Sequence, residues 1–206
     1  MSHRRRQVAC FATAGIAWIV AISSGFILLA RHGSTPGAAG DPTSRWPASS
    51  RVVAARGRAN LVLVAHPRCP CTRATIAELG RLMARCRGAV VAHVLFLRPG
   101  GVEGAWEETD LWRAAAAIPG TRVFADQSGM DAARFGVATS GHVLLYDANG
   151  ALLYSGGITG SRGHEGDNPG RDAVISLLTR GRADRAQSAV FGCPLSDPPA
   201  DSHEGS

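Results

Sequence analysis

Residues 60–85 read NLVLVAHPRCPCTRATIAELGRLMAR, and the fold turns on how this stretch is divided. NLVLVA (60–65) is short and almost wholly apolar, as a strand buried on both faces should be. From Cys71 to Arg85 the apolar residues recur at helical spacing, with Ile76, Leu79, Leu82 and Met83 on one side. Between them stands Cys69-Pro70-Cys71, a cysteine pair with a single residue in between. Side chains two apart on a helix diverge, so two helical cysteines at this spacing could not bond. Proline is best tolerated at the first helical position. That places Cys69 at the N-cap, free of helical dihedrals, and Cys71 in the first turn. A disulfide closing so small a ring is expected to be strained and readily exchanged. Helix-start amides and the flanking Arg68 and Arg73 favour a thiolate there, with His66 also at hand to tune it. A thiolate is both the nucleophile of disulfide exchange and a soft-metal ligand, and the spacing does not choose between them.

Outward from this stretch, the pattern alternates. Ala89–Leu97 is a second buried strand and Ala105–Ile118 an Ala-rich helix stopped by Pro119-Gly120. Arg122–Ala125 is a brief strand, and Met130–Phe135 a short helix closed by Gly136. His142–Asp147 and Ala151–Ser155 are strands joined around Asn149-Gly150, a hairpin signal. Asn168 as N-cap and Pro169 at the first position open a last helix, to about Thr179. The order β-α-β-α-β-α-β-β-α predicts an α/β domain with an antiparallel edge.

At the N-terminus, HRRR (3–6) precedes an uncharged run from Val8 to Ala30, long enough to span a bilayer. Arg31-His32 follow directly, and the only small-residue cleavage-like piece, Gly37-Ala38-Ala39, lies further on, so a signal-anchor is expected rather than a cleaved signal. The arginine excess ahead of the span keeps residues 1–7 in the cytoplasm and sends the rest across the bacterial inner membrane, to the periplasm or outside. Disulfides persist there. Residues 31–50, rich in Gly, Pro, Ser and Ala, read as a linker, 51–195 as the domain, and 196–206 as a polar, disordered tail.

Composition narrows the function. The net charge is +6 and all 22 basic residues are arginine, but they are scattered among acids and form no basic face. Nucleic-acid binding is not expected. The 156–168 loop is Gly-rich but lacks the strand-loop-helix setting of a phosphate cradle. Five cysteines at irregular spacing make no disulfide framework. Cys10 falls in the apolar span. Cys86 lies about 22 Å along the helix from Cys71, out of bonding reach, and reads as a small core residue. Cys193, in VFGCPL after the last helix, could fold back as a third redox or ligand cysteine. His93, inside a strand, reads as a core residue.

This order of elements, with a cysteine pair at the mouth of the first helix, resembles the thioredoxin fold. RCPCT (68–72) is similar to the family's W-C-x-P-C-K, with Cys69 shifted by one. RFGVATSGHVLLYDANGALLYSGGI (134–158) resembles its segment of a G-V motif, proline, threonine and hairpin. The loop SGGITGSRGHEGDNPG and the closing VFGCPL are similar to membrane-anchored redoxins of the RedB type. The resemblance covers about residues 50–195. It implies thiol–disulfide exchange with partner-protein thiols or disulfides through Cys69, Cys71 and Cys193, with no cofactor beyond the redox disulfide. It places Ser140, Gly141, His142 and His164 on the rim of the site. Two features depart from the family. Ser140-Gly141 stands where thioredoxins have a cis-proline, which helps seat substrate and keeps metals off the thiols. No carboxylate occurs on the strand before the motif. A Cu(I) or Zn(II) site built from Cys69, Cys71, His66 and His142 is therefore the alternative. A peroxiredoxin is not expected, since the third residue before Cys69 is His66 and before Cys71 is Arg68 rather than threonine.

Overall fold

The computed structural model describes residues 3–195, with backbone alone for 3–7 and 9. The expected tail at 196–206 lies outside the described residues. The chain divides into two units, Met1–Thr35 and Pro36–Ser206.

The first unit is α1 (His3–Ser34), and an 18-residue window within Cys10–Ser34, a stretch of 25 residues, reaches a mean hydropathy of 2.0. At 1.5 Å per residue that stretch is about 37 Å long, enough to cross a bilayer's hydrocarbon core. Phe11, Trp18 and Phe26 are exposed along it, an arrangement that lipid favours and water does not.

The second unit carries β1 (Ala59–Ala65), α2 (Pro70–Arg85), β2 (Val90–Arg98), α3 (Asp110–Ala116), β3 (Thr121–Gln127), α4 (Met130–Arg134), β4 (His142–Tyr146), β5 (Leu152–Gly157) and α5 (Pro169–Arg180). The sheet order is β3-β2-β1-β4-β5. β1, β2 and β3 run parallel because helices carry the chain back between them, whereas β4 lies antiparallel to both β1 and β5. The expected α/β class with an antiparallel edge is what the chain adopts.

Alternation along β1 separates two apolar layers. Leu61 and Leu63 face Ile76, Leu79 and Leu82 of α2, Leu111 of α3 and Val174 of α5. Val62 and Val64 face Phe135, Leu144, Tyr146 and Trp46. Leu79 and Leu82 are completely buried, and truncating either to alanine would cost about 2–5 kcal/mol.

Two segments differ from their sequence reading. The helix expected over Ala105–Ile118 forms only from Asp110. Ahead of it, buried Glu107 reaches Arg98 and Thr109 Oγ1 donates to the Pro67 carbonyl at 3.1 Å. These tertiary contacts outweigh the helix preference of the alanine-rich run. The segment expected as a linker is, from Pro36 onward, laid against the domain. Gly37 N donates to Val190 O, Asp41 N to Gly136 O and Trp46 N to Gly150 O. The Trp46 ring makes edge contacts with His93, Phe135 and Tyr146. Gly and Pro serve close approach here rather than flexibility: at Gly40 (φ 74°) a Cβ would collide with the Gly136 carbonyl.

Candidate functional site

β1 ends at Ala65, and the chain turns through His66-Pro67-Arg68 into α2. Cys69 is the N-cap with extended dihedrals (φ −89°, ψ 122°), and Pro70 takes the first helical position. No side chain caps this helix start, and the Cys71 and Thr72 amides lie near the Cys69 sulfur, that of Thr72 also donating to the Cys69 carbonyl at 3.0 Å. The cap geometry expected from Pro70 is the one observed.

Ser140 joins two parts of the site. Its Oγ accepts the His66 amide at 2.8 Å and lies 3.0 Å from Thr72 Oγ1, tying the turn before α2 to the start of β4. Gly141 (φ 88°) donates its amide to Val64 O at 2.7 Å, and a Cβ there would press on Thr75 Oγ1 at 3.2 Å. Among the described residues no peptide bond is cis.

The C-terminal segment completes the site. Leaving α5 at the left-handed Gly181, it runs along the outer edge of β5. Ser155 N donates to Ala186 O, Ser188 N to Ser155 O and Gly157 N to Ala189 O. Cβ atoms at Gly156 or Gly157 would strike Ser188 or Ala189, so the glycine pair is what lets the segment lie so close. It then crosses residues 138–140: Ser140 N donates to Cys193 O at 2.8 Å and Leu195 N to Ala138 O at 3.0 Å. Gly192 is packed onto the Ser140 carbonyl with no room for a side chain.

This path sets Cys193 Sγ 2.8 Å from Cys69 Sγ, both as free thiols. A disulfide bond is about 2.05 Å long, so little movement separates the contact from a bond. Cys69 is 2 % exposed, whereas Cys71 and Cys193 are half-buried. Burial pushes the Cys69 thiol up, but the Cys193 thiol and the backbone amides of Cys71, Cys193 and Thr72 outweigh it and bring it below the ordinary 9.0. Cys71 is raised by burial and by the negative charge of Cys69 beside it, with Arg162 opposing. Cys193 is pushed up to about 12, by burial first and then by its bond to Cys69. Of the three thiols only Cys69 is lowered, so it is the one favoured as thiolate.

The cation of the site is Arg162, which sequence reasoning passed over. It donates to the Gly192 carbonyl, and its buried Nε has no partner. Arg68 instead lies over the Trp106 ring at 4.4 Å, and Arg73 pairs with exposed Asp110. Arg162 sits in a loop held down by Glu78, a fully buried carboxylate on α2. Glu78 pairs with Arg171 and Arg81 and accepts the Gly166 amide at 2.7 Å. A Gly-rich loop with a single arginine gives no local signal of this, since both the Glu78 anchor and Cys193 are remote in sequence.

The histidines are dispersed. His66 Nδ1 accepts the Arg68 amide, and burial with the Arg68 charge lowers its pKa. His142 is completely buried, with Nε2 2.8 Å from Ser155 Oγ, and burial holds it at about 4. It is therefore an interior residue rather than part of the rim. His164 is exposed and lies over its own loop near Gly160 and Gly166. Among the described residues, no three His, Cys, Asp or Glu side chains are arranged to hold a metal ion.

No protein-family model matches the chain, and no curated protein does either. Its structure is similar to a hypothetical protein of Sinorhizobium meliloti 1021, with TM-score 0.54 and 21 % identity over 78 % of this chain and 93 % of that one. It is also similar to an uncharacterized conserved protein of Geobacillus kaustophilus, with TM-score 0.56 and 16 % identity over 81 % and 94 %. A more distant likeness is to a secreted Mycobacterium tuberculosis disulfide oxidoreductase, with TM-score 0.41 and 16 % identity over 61 % and 83 %. The fold is a mixed five-stranded sheet flanked by helices.

Proposed function

We propose that this chain is a thiol–disulfide oxidoreductase, anchored by residues 8–30 in a bacterial inner membrane with its domain on the extracytoplasmic side, as a RedB-type redoxin would be. The observation that carries this reading is the Cys69–Cys193 contact of 2.8 Å at a helix N-terminus. Two thiols this close, one favoured as thiolate, can give up two electrons and two protons to form a disulfide and take them back on reduction. Partner-protein dithiols or disulfides are the natural co-reactants. Cys71 lies beside the couple, its thiol raised by burial and by the Cys69 charge, and is the less ready nucleophile of the two. Ser140 supplies the clamp on the site, and Arg162 offsets its negative charge.

The alternative function, carriage of Cu(I) or Zn(II), draws on the same sulfurs, since soft thiolates suit these ions. With His142 Nε2 on Ser155 and His66 Nδ1 on the Arg68 amide, and with no three ligating side chains gathered among the described residues, the binding set would be the sulfur pair of Cys69 and Cys193.

The test uses the full chain in detergent micelles. It should catalyse oxidation or reduction of a dithiol probe, and Cys69→Ser should abolish that activity. Full activity in Cys69→Ser would sink the redox reading. In parallel, the reduced chain is titrated with Cu(I). Binding no tighter than that of a variant lacking Cys69, Cys71 and Cys193 removes the metal alternative.

A further inference from the structure

The three sulfurs do not present themselves equally to a partner. Cys69 is 2 % exposed and lies behind the C-terminal segment, while Cys193 is half-buried on that segment, flanked by exposed Pro194. Disulfide exchange depends on which sulfur the incoming thiolate reaches and on how well the other sulfur departs as a thiolate. In a Cys69–Cys193 disulfide these two requirements fall on different residues.

Resting on the redox reading, we infer that partner thiols enter at Cys193, on the C-terminal segment, and that Cys69 is the internal leaving group rather than the attacking residue. A partner thiolate attacks Cys193 Sγ, the Cys69–Cys193 bond breaks, and Cys69 leaves with the electron pair. The departing sulfur settles among the amides of Cys71, Cys193 and Thr72 that already favour its anion. The partner is then joined to Cys193 by a mixed disulfide. A second partner thiolate attacks the partner's own sulfur in that bond and expels Cys193, which takes up a proton and returns to its place against Cys69. The partner dithiol is oxidised to a disulfide, and the chain is reduced by two electrons. Run backwards, the same steps reduce a partner disulfide.

The seat of the segment supports this division of labour. Backbone bonds from Ser140 and Leu195 and the Arg162 bond to Gly192 hold Cys193 from both sides. An adduct on Cys193 builds out from a residue that is already partly exposed, whereas one on Cys69 has to open a site that is 2 % exposed.

Diamide oxidation of the full chain in micelles, followed by blocking of remaining thiols with N-ethylmaleimide, prepares the disulfide. Glutathione is then added together with iodoacetamide, and peptides are mapped by mass. The expected result is glutathione on Cys193 and the acetamide group on Cys69. Glutathione on Cys69 with Cys193 alkylated overturns the inference and leaves the redox reading standing. A Cys69–Cys71 bond as the oxidised product overturns it likewise. No disulfide among the three cysteines overturns both.

Discussion

The Ser140 amide donates to the Cys193 carbonyl at 2.8 Å, while the Ser140 hydroxyl oxygen accepts the His66 amide at the same distance. One residue therefore clamps the motif turn on one side and the third cysteine on the other. A proline here would lack both the amide and the hydroxyl. Ser140→Pro is expected to free the C-terminal segment and leave the half-buried His66 amide unpaired. The cost is about 2–4 kcal/mol, since each unsatisfied buried group costs about 1–3. Alkylation of Cys193 should rise roughly tenfold, as loss of about 1.4 kcal/mol of restraint implies. Unchanged alkylation with unchanged denaturant midpoint would show that Ser140 does not hold the segment.

The charge on Cys69 depends on its neighbours. Cys193→Ala removes the thiol that bonds to it, leaving burial opposed only by backbone amides, so the Cys69 pKa should rise from its lowered position. The rate of Cys69 carbamidomethylation against pH in the full chain measures this. In the wild type the profile should bend below 9.0, and in Cys193→Ala it should move to higher pH. Coincident profiles would mean that the amides alone hold the thiolate.

Much of this arrangement was legible where structure is local. A proline between two cysteines at a strand-to-helix junction constrains dihedrals within one turn, so Cys69 as N-cap could be read directly. The Asn168–Pro169 helix start was equally local, and the Asn168 side chain does accept the Arg171 amide. Cys193 and Arg162 were harder because each reaches the site through chain reversal. One depends on Gly156 and Gly157 admitting the C-terminal segment, the other on Glu78 anchoring a loop 88 residues away at Gly166. Residues 36–50 misled for a related reason. Their composition suits a flexible linker, but a single Trp46 entering the core layer decides their path.

Two interior histidines should make the fold acid-sensitive. His93, its Nε2 on Asn60 and its Nδ1 unpartnered, and His142 are each held at about 4, chiefly by burial. Unfolded, each would titrate near the ordinary histidine value of 6.5. Between those values the unfolded chain binds more protons, so stability is full above pH 6.5 and falls as the pH drops towards 4. The slope is about 1.4 kcal/mol per unit for each histidine. Urea midpoints at pH 7.5 and 5 should differ accordingly, and His142→Gln should flatten the difference. An equal difference in that variant would remove His142 from the account.

Glu78 lies at the junction between stability and the site, and its loss should be felt at Cys71. The carboxylate is completely buried, and two arginines and the Gly166 amide converge on it. Breaking such a group by removing one partner is costly because the remaining charge stays buried. Arg171 is only 11 % exposed and keeps weaker contacts to Asp167 and Asp172 at 3.4 Å. Glu78→Ala should therefore cost about 3 kcal/mol, the low end for a buried pair. Glu78→Gln retains an acceptor for the Gly166 amide and should cost less. The loop carrying Arg162 should loosen in Glu78→Ala, seen as faster hydrogen exchange at the Gly166 amide. As Arg162 withdraws, Cys71 loses the cation that opposes its raised pKa, and its alkylation at neutral pH should slow while that of Cys86 does not change. A destabilised variant with Cys71 reactivity intact would confine Glu78 to the fold and detach the loop from the chemistry.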